Sequence, residues 1–310
     1  MAPASQEPIL KIAMIRILTT VFAALLGLAF GSFLNVCLSR WPEEESVVQP
    51  RSHCRSCNHT LAWWENVPLV SWLALRGRCR SCRAWIGWRY PLVEFAVAAL
   101  WAVSAWQILD PSLNPDLLPV FYYGAVLRVA GSFILYWLLV ALAVLDAENL
   151  WLPEWITLPG TALGFLFVVA NAALATFSSM NDAFETGHPI IHAAVWSLTS
   201  ILLAAGIVLL IRWVYWLIRR REGIGMGDAV LMALLAAWLG LPLALLAFVL
   251  GVVLGAVVAV TLLAIPSERA KAEGWALNKL PLGTFLCIGG IGSALWGQPI
   301  LAAYLRWSGF

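Results

Sequence analysis

Charge is scarce in this sequence. Charged residues make up 12% of the 310 positions, whereas 62% are hydrophobic. No charged residue occurs between Ala229 and Ile265. A composition this apolar excludes an ordinary soluble protein of the same length. The sequence therefore predicts an integral membrane protein that crosses the bilayer several times.

Long apolar runs support this prediction, because a helix needs about 20 residues to cross a hydrocarbon core of roughly 30 Å. There are eight such runs, of which the sixth is short. The first has no Ala-x-Ala cleavage pattern and is expected to be a retained helix rather than a removed signal peptide. The predicted fold class is all-α, a polytopic membrane protein with about eight transmembrane helices. The runs cover residues 14–38, 91–109, 121–145, 153–177, 189–218, 229–241, 243–265 and 281–303.

The distribution of basic residues predicts the orientation in the membrane. Of the 19 Lys and Arg, eight fall in 39–90, four in 211–227 and three in 266–280. With eight spans, these three segments share one face. The segments near 110–120 and 178–188 contain acidic residues and no Lys or Arg. By the positive-inside rule, the 39–90 loop is cytoplasmic and both termini are periplasmic.

A glycine-rich turn with one carboxylate precedes the charge-free run: Gly223-Ile224-Gly225-Met226-Gly227-Asp228. A carboxylate at a membrane boundary is costly unless it has a partner or a function. Asp146 ends the third apolar run at the same predicted face. Asp146 and Asp228 can therefore approach each other across a helix bundle. The alternative is that Asp146 belongs to an ordinary polar turn with Glu148 and Glu154.

Gly225 and Gly227 are the supporting residues of this turn. Glycine tolerates positive φ and lets a second backbone come close. A phosphate-binding turn is not expected, because no predicted strand precedes the glycines and no lysine follows them at the required position.

The hydrophilic segment 39–90 contains two Cys-x-x-Cys pairs, Cys54 with Cys57 and Cys79 with Cys82. Two such turns bring four thiolates to tetrahedral positions around one Zn²⁺. Two disulfides are the alternative, which a reducing cytoplasm disfavours. Four sulfur ligands leave no position for water, so this zinc would be structural. We therefore expect a small zinc-bound cytoplasmic loop domain.

Four further polar residues stand near these features. Asn35 can hydrogen-bond to a neighbouring helix, or can simply accompany the close packing of small residues. Glu94, one turn inside the second span, can favour the helix N-terminus, pair with Arg89, or line a polar site. His53 and His59 flank the first cysteine pair and could replace a metal ligand, but they are expected on the surface.

Six motifs follow one another along most of the chain, and together they resemble the type IV prepilin peptidases. These are GxGD-type intramembrane aspartic peptidases, and several of the motifs are specific. The motifs are Gly31-Ser32-Phe33-Leu34-Asn35-Val36, Pro50-Arg51-Ser52-x-Cys54-x-x-Cys57, Asn66-x-Pro68-x-x-Ser71-Trp72-Leu73, Arg76-Gly77-x-Cys79-Arg80-x-Cys82, Arg89-Tyr90-Pro91-Leu92-Val93-Glu94 and Gly225-Met226-Gly227-Asp228.

The resemblance implies a function at the cytoplasmic face of the bacterial inner membrane. It implies cleavage of the short basic leader of type IV prepilins or type II secretion pseudopilins, with Asp146 and Asp228 as the catalytic pair. Because the cysteine loop is present, it also implies N-methylation of the new amino terminus from S-adenosylmethionine, whose binding residues are unknown. The implied partners are these substrates and the lipid bilayer. Nucleic acid is not expected, and the oligomeric state stays open.

Two adjacent carboxylates do not both ionise, so the pair is expected to share one proton. Helix dipoles suggest how the roles divide. Asp228, at a helix N-terminus, is expected to act as the base. Asp146, at a helix C-terminus, is expected to keep the proton.

The predicted organisation has three parts: a first transmembrane helix (1–38), the zinc loop as implied methylation module (39–90) and the peptidase core (91–310). The chain departs from the family pattern at Val230, where members commonly have Lys. It departs again at Thr284, where they commonly have the last proline of Pro-x-Gly-Pro. A polytopic proton- or cation-coupled transporter with a zinc-stabilised docking loop is the non-enzymatic alternative. Internal symmetry would favour a transporter, and no internal repeat is apparent.

Overall fold

A computed structural model of the chain describes residues 6–109, 120–178, 189–221, 225–264 and 280–309. Nine α-helices and no β-strand occur within these ranges, which confirms the all-α prediction. The helices are α1 (Gln6–Arg40), α2 (Val70–Ala74), α3 (Arg89–Ile108), α4 (Val120–Asn149), α5 (Glu154–Ser178), α6 (Pro189–Arg219), α7 (Met226–Leu239), α8 (Leu241–Ala264) and α9 (Leu282–Ser308).

Seven of the described helices are long and apolar enough to cross a membrane: α1, α3, α4, α5, α6, α8 and α9. The eighth apolar helix, α7, has only 14 residues. At 1.5 Å per residue it is about 21 Å long, less than a hydrocarbon core of roughly 30 Å. The eight predicted runs therefore correspond to eight helices, and the sixth run is the short one.

The chain forms two compact units, Met1–Ala141 and Leu142–Phe310, and the division between them falls within α4. The first unit contains α1, α2, α3 and most of α4. The second contains the last turns of α4 together with α5 to α9. The three predicted functional segments, 1–38, 39–90 and 91–310, stay a prediction. The two units reflect how the helices pack and do not test which segment has which function.

Two glycines bring α1 and α3 into backbone contact in the first unit. A Cβ atom on Gly27 would lie 2.7 Å from the Cα atom of Ala98, and one on Gly31 would lie 2.7 Å from the Cα atom of Glu94. Such contacts leave no room for any side chain. Small residues four positions apart are typical of closely crossing membrane helices.

Trp101 links α3 to α4 within the first unit. Its ring stacks on Phe133, with centroids 4.2 Å apart and 2° between the planes. Its indole N–H donates to the Phe133 carbonyl at 3.1 Å. The hydroxyls of Ser132 and Ser104 are hydrogen-bonded at 3.1 Å. Trp101, Ser104 and Ser132 therefore have hydrogen-bond partners, as stable packing of buried polar groups requires.

The short helix α7 is the core of the second unit. Ten of its 14 residues are buried, and it packs against α5, α6, α8 and α9. A helix that is apolar on every side is stable when other elements surround it. Near its end, Trp238 covers Gly164 of α5 and donates its indole N–H to the Gly160 carbonyl at 2.9 Å. The last turn of α7 is thereby held against α5.

The helices α8 and α9 pack closely through glycine. A Cβ atom on Gly251 would lie 2.9 Å from a backbone oxygen of α9, and one on Gly289 would overlap the carbonyl oxygen of Ala247. This packing fixes α9 along α8. It thereby also fixes the first turn of α9, where Gly283 and Thr284 lie.

Parts of the predicted organisation lie outside the described residues. These are Gly223 and Ile224 of the glycine-rich turn, most of the basic segment 266–280, and the acidic segments around 110–119 and 179–188.

Candidate active site and metal centre

Asp146 and Asp228 are both buried, with 6% and 8% of their surface exposed. Asp146 lies in the last turn of α4, and Asp228 lies in the first turn of α7. The side chain of Leu152 lies close to Gly227, the residue before Asp228, and close to Gly283, which itself approaches Asp146 Oδ2. The structure thus brings the two predicted carboxylates into one site.

The start of its own helix orients Asp228. Its Oδ2 atom accepts a hydrogen bond from the backbone N–H of Gly225 at 3.0 Å. Gly225 is the N-cap residue of α7. This is the half of a capping box in which the third helical residue reaches back to the cap. The backbone therefore fixes the direction of this carboxylate.

The start of α9 orients Asp146. Its Oδ2 atom accepts a hydrogen bond from the backbone N–H of Thr284 at 2.7 Å. The Thr284 hydroxyl lies 3.2 Å from the same Oδ2 atom and 2.9 Å from the Ala143 carbonyl oxygen. A hydroxyl has one proton, so it donates to one of these two acceptors at a time.

The side chain of Leu152, in the connection between α4 and α5, lies between the starts of α7 and α9. A Cβ atom on Gly227 would be 2.9 Å from Leu152 Cβ. A Cβ atom on Gly283 would be 2.8 Å from Leu152 Cδ1 and 2.9 Å from Asp146 Oδ2. Both glycines are therefore required by close approach. One leucine thus contacts the residue beside each half of the carboxylate pair.

The hydrogen bonds of Asp146 remove the basis for assigning roles by helix dipoles. Asp146 does end α4, but its carboxylate also faces the N-terminus of α9, as that of Asp228 faces the N-terminus of α7. Helix N-termini favour negative charge at both positions. The dipole argument therefore does not distinguish a base from an acid.

The glycines before Asp228 differ from expectation in one respect. Gly225 has a φ of −73°, and Gly227 is not among the described residues with positive φ. Neither residue therefore uses the positive φ that glycine permits. The atoms that closely approach Gly227 belong to the side chain of Leu152 rather than to a second backbone.

Sequence reasoning missed Leu152 and Thr284 as residues of this site. Thr284 stood out only as a departure from the family pattern, and Leu152 did not stand out at all. One sequence feature could have indicated Thr284. The turn Pro281-Leu282-Gly283-Thr284 contains glycine and lies at the start of an apolar helix, as does the turn before Asp228.

In the loop, the four cysteines form a cluster of the size that a tetrahedral metal ion needs. Their sulfur atoms all lie within 4.8 Å of one another. The Sγ atoms of Cys54 and Cys82 are 3.8 Å apart, and those of Cys57 and Cys79 are 4.0 Å apart. Zn–S bonds of about 2.3 Å in a regular tetrahedron separate the sulfurs by about 3.8 Å. All four cysteines are free thiols, contrary to the disulfide alternative.

The two cysteine turns share one backbone pattern. In each turn, the N–H of the first cysteine donates to the carbonyl of the residue five positions later at 2.9 Å. The residue four positions later, Asn58 or Arg83, has a φ of 56° or 60°. The two Cys-x-x-Cys turns therefore repeat one local structure within the loop.

The electrostatics of the thiols also fit a cation. Burial of Cys54 opposes ionisation, but the N–H groups of Ser56 and Cys57 and the neighbouring thiols lower its pKa to about 7. The N–H of His59 favours the Cys57 thiolate, yet desolvation and the other three thiols raise the pKa of Cys57 to about 12. A second thiolate therefore needs a cation beside it, which a divalent metal supplies.

The polar residues flanking the loop have partners elsewhere. His59 Nε2 lies 3.3 Å from Glu65 Oε2, and neither His53 nor His59 belongs to the sulfur cluster. Asn35 Nδ2 donates to the Tyr90 carbonyl of α3 at 2.9 Å, so of the two alternatives for this residue the bond to a neighbouring helix is present.

Glu94 lines a buried polar site, the third of the alternatives considered for it. Its Oε2 atom accepts a hydrogen bond from the backbone N–H of Leu69 at 2.7 Å. The backbone of Glu94 packs directly against Gly31 of α1. Only 7% of Glu94 is exposed. The residue thus joins α1, the loop and α3.

Two family profiles match this chain. Residues 25–108 match the bacterial peptidase A24 N-terminal domain, and residues 133–260 match the type IV leader peptidase family. The first range contains the four cysteines of the cluster, and the second contains both aspartates. No solved structure matches the chain.

Curated proteins named prepilin leader peptidase/N-methyltransferase are similar to this chain. The protein from Pseudomonas aeruginosa is 33% identical, over 92% of this chain and 93% of its own length. The protein from Pseudomonas putida is 34% identical, over 93% and 94%. The protein from Myxococcus xanthus is 38% identical, over 72% of this chain and 56% of its own length. The expectation of a leader peptidase is thus confirmed, and the chain belongs to the type IV leader peptidase family.

Proposed function

We propose that this chain is an intramembrane aspartic endopeptidase that removes the leader of type IV prepilins or type II secretion pseudopilins, with Asp146 and Asp228 as the catalytic pair. The burial of two carboxylates in one site, each oriented by backbone N–H groups, carries this proposal. The substrate class is supported by relatives named prepilin leader peptidases. The transporter alternative has no such support.

In the proposed reaction, the pair holds one proton, because two adjacent buried carboxylates do not both ionise. The ionised carboxylate takes a proton from a water molecule, whose oxygen attacks the carbonyl carbon of the scissile peptide bond. The protonated carboxyl group donates its proton to the carbonyl oxygen. The carboxyl group that took the proton of water then gives it to the leaving amine as the carbon–nitrogen bond breaks, and a hydroxyl of the intermediate returns a proton to the other carboxylate. Acid and base stay unassigned, because both carboxylates face helix N-termini.

Leader release from a prepilin by the purified protein in detergent tests this proposal. Asp146→Asn and Asp228→Asn are each expected to lower kcat/KM by at least about 1,000-fold. Glu154→Gln is the matched control, since this carboxylate is exposed on the neighbouring turn and should be dispensable. Near-normal cleavage by either Asn variant would overturn the catalytic pair. No cleavage by the wild type would overturn the substrate class.

The loop 39–90 is proposed to bind one Zn²⁺ through its four cysteines and to carry N-methylation of the new amino terminus. The metal is structural in this proposal, because four sulfur ligands close the coordination sphere. S-adenosylmethionine supplies the methyl group: its carbon–sulfur bond breaks as the carbon–nitrogen bond forms, the amine loses a proton, and S-adenosylhomocysteine is left. The name N-methyltransferase in the relatives supports this part of the proposal.

Mass spectrometry of the processed substrate tests the methylation. The wild type is expected to add the mass of one methyl group when S-adenosylmethionine is present. Cys54→Ser or Cys79→Ser should abolish this gain together with zinc binding. Full methylation by a variant that has lost all its zinc would overturn the role of the folded loop.

The family and the seven long apolar helices make this a multi-pass protein of the inner membrane. The excess of basic residues supports a cytoplasmic 39–90 loop and periplasmic termini. This topology requires that α7 crosses the membrane, although it has only 14 residues. An alkaline phosphatase fusion at the C-terminus should therefore be active. An inactive fusion, with an active one in the 178–188 segment, would indicate seven crossings instead.

A further inference from the structure

A cavity of about 450 Å³ lies in the first unit between α1 and the cysteine loop. One wall is a face of α1 that includes Ser32, Val36 and Arg40, and the other includes Arg51 and Trp63. The volume falls within the range of small-molecule sites, roughly 300–1,000 Å³. The proposed peptidase reaction makes no use of this cavity.

Arg40 gives the cavity a buried positive charge. Only 6% of the residue is exposed, and its guanidinium donates to the carbonyls of Ser46 and Pro50 at 2.7 and 2.6 Å. Within the described part of the chain, no carboxylate lies within 4.0 Å of this guanidinium. A buried charge that is hydrogen-bonded but not neutralised is costly. It indicates a ligand that brings its own negative charge.

The rim of the cavity adds a second charge and an aromatic surface. Arg51 lines the cavity and is exposed, so it can also meet an anionic group. Trp63 lines the cavity with 79% of its surface exposed. An indole face of this kind can hold a planar heterocycle or a cationic sulfur. The cavity thus offers one site for an anionic group and another for a flat ring, which together suit a ligand that carries both groups.

The first cysteine turn builds one wall of the cavity directly. Ser52 and Leu61 both line the cavity and are joined by a hydrogen bond from the Leu61 N–H to the Ser52 carbonyl at 2.9 Å. They stand on either side of Cys54 and Cys57 in the sequence. Folding of this turn around a metal therefore positions the wall, although no sulfur atom reaches the cavity.

We propose that this cavity is the binding site of the methyl donor S-adenosylmethionine, with its amino-acid carboxylate at Arg40 and its purine ring at Trp63. The inference rests on the proposed methylation activity. The donor has the three groups that the cavity can hold: a carboxylate for the buried guanidinium, a purine for the indole, and a sulfonium that tolerates an aromatic neighbour. The structural role of zinc then explains why a closed metal site accompanies methyl transfer.

Equilibrium dialysis of radiolabelled S-adenosylmethionine against the purified, zinc-loaded full-length protein tests the assignment. Trp63→Ala is expected to raise Kd about tenfold or more, because stacking of a base on an aromatic ring contributes substantially. Trp64→Ala is the matched control, since this neighbour does not line the cavity. Arg40→Lys keeps the charge but loses the planar fork, and should also weaken binding at least about fivefold.

A fourth variant guards against misfolding. Val36→Trp fills the cavity without removing any polar group, and should abolish donor binding while the zinc content stays at the wild-type value. Zinc is measured for every variant, so that a collapsed loop is recognised.

The possible failures are distinguishable. If the wild type neither binds the donor nor methylates a processed substrate, the proposed methylation itself is wrong. If the wild type binds the donor and the Trp63, Arg40 and Val36 variants bind it equally well with full zinc, the cavity assignment is overturned. If native mass spectrometry finds phosphatidylglycerol held by the wild type and lost in Val36→Trp, while donor binding is unchanged, the anion in the cavity is a lipid phosphate and the assignment is again overturned.

Discussion

The backbone N–H of Thr284 donates a hydrogen bond of 2.7 Å to Oδ2 of Asp146, although 138 positions separate the two residues in the sequence. A carboxylate in a catalytic pair has to keep one orientation, and groups around it have to hold it there. Thr284 is therefore a positioning residue for Asp146 in the proposed reaction. Proline, which is common at this place in the family pattern, has no N–H to donate. This chain thus holds its first aspartate with a donor that the pattern lacks.

Thr284→Val removes the hydroxyl and keeps both the shape and the backbone N–H. We expect kcat for leader release to fall about 2- to 10-fold with little change in KM, since one hydrogen bond contributes roughly 0.5–1.5 kcal/mol. Thr284→Ser keeps the hydroxyl and should retain the wild-type kcat. Steady-state kinetics on a purified prepilin measures both parameters. A lower kcat in the Ser variant together with a wild-type kcat in the Val variant would contradict the role of the hydroxyl and point to packing of the methyl group instead.

Gly227→Ala is expected to lower leader release at least about tenfold, because the new Cβ atom would lie 2.9 Å from Leu152 Cβ. The obstacle is a side chain, so Leu152→Ala in the same chain should restore much of the activity. Gly225→Ala is the matched control: its φ of −73° suits any residue, and the nearest atom, Asp228 Oδ2, is 3.4 Å away.

The double variant decides the explanation for Gly227. If Leu152→Ala brings no recovery, the glycine serves the backbone or the substrate rather than the leucine. Leader release by Gly283→Ala should recover less than that of Gly227→Ala when Leu152→Ala is added. The reason is that Asp146 Oδ2 also lies 2.9 Å from the new Cβ atom of residue 283. Leader release from one prepilin, measured side by side for the three single glycine variants and the two double variants with Leu152→Ala, provides the comparison.

The sequence predicted what depends on composition and on local spacing. Apolar run length predicted the helices, and two Cys-x-x-Cys turns predicted the sulfur cluster, because a short turn fixes where its own side chains lie. It did not predict the contact of Thr284 with Asp146, which depends on how α9 packs along α8. Nor did it predict Leu152 between two glycines. Helix dipoles misled for the same reason: the N-terminus nearest to Asp146 belongs to a helix distant in sequence.

Zinc content provides a further prediction. The purified protein is expected to hold one Zn²⁺ per chain by elemental analysis, and Cys57→Ser should reduce this to near zero. Cys37→Ala and Cys287→Ala are matched controls, because these cysteines are buried in α1 and α9 and are outside the cluster. Protons compete with the metal for thiolates, so a chelator should remove zinc faster at pH 5.5 than at pH 7.5. Zinc lost equally from the control variants would argue against the cluster as the site.

Glu94 holds Leu69 in an unfavourable backbone conformation. Leu69 has a φ of 57°, which is rare for a bulky residue, and its N–H donates to Glu94 Oε2 at 2.7 Å. Glu94→Ala leaves this N–H without its acceptor, and such a loss costs about 1–3 kcal/mol. Hydrogen exchange of the amides from Leu69 to Ala74 should therefore become about 5- to 100-fold faster. Glu94→Gln keeps an acceptor oxygen and should preserve slow exchange. Unchanged exchange in the Ala variant, at an unchanged melting temperature, would mean that packing of α2 holds Leu69 without this bond.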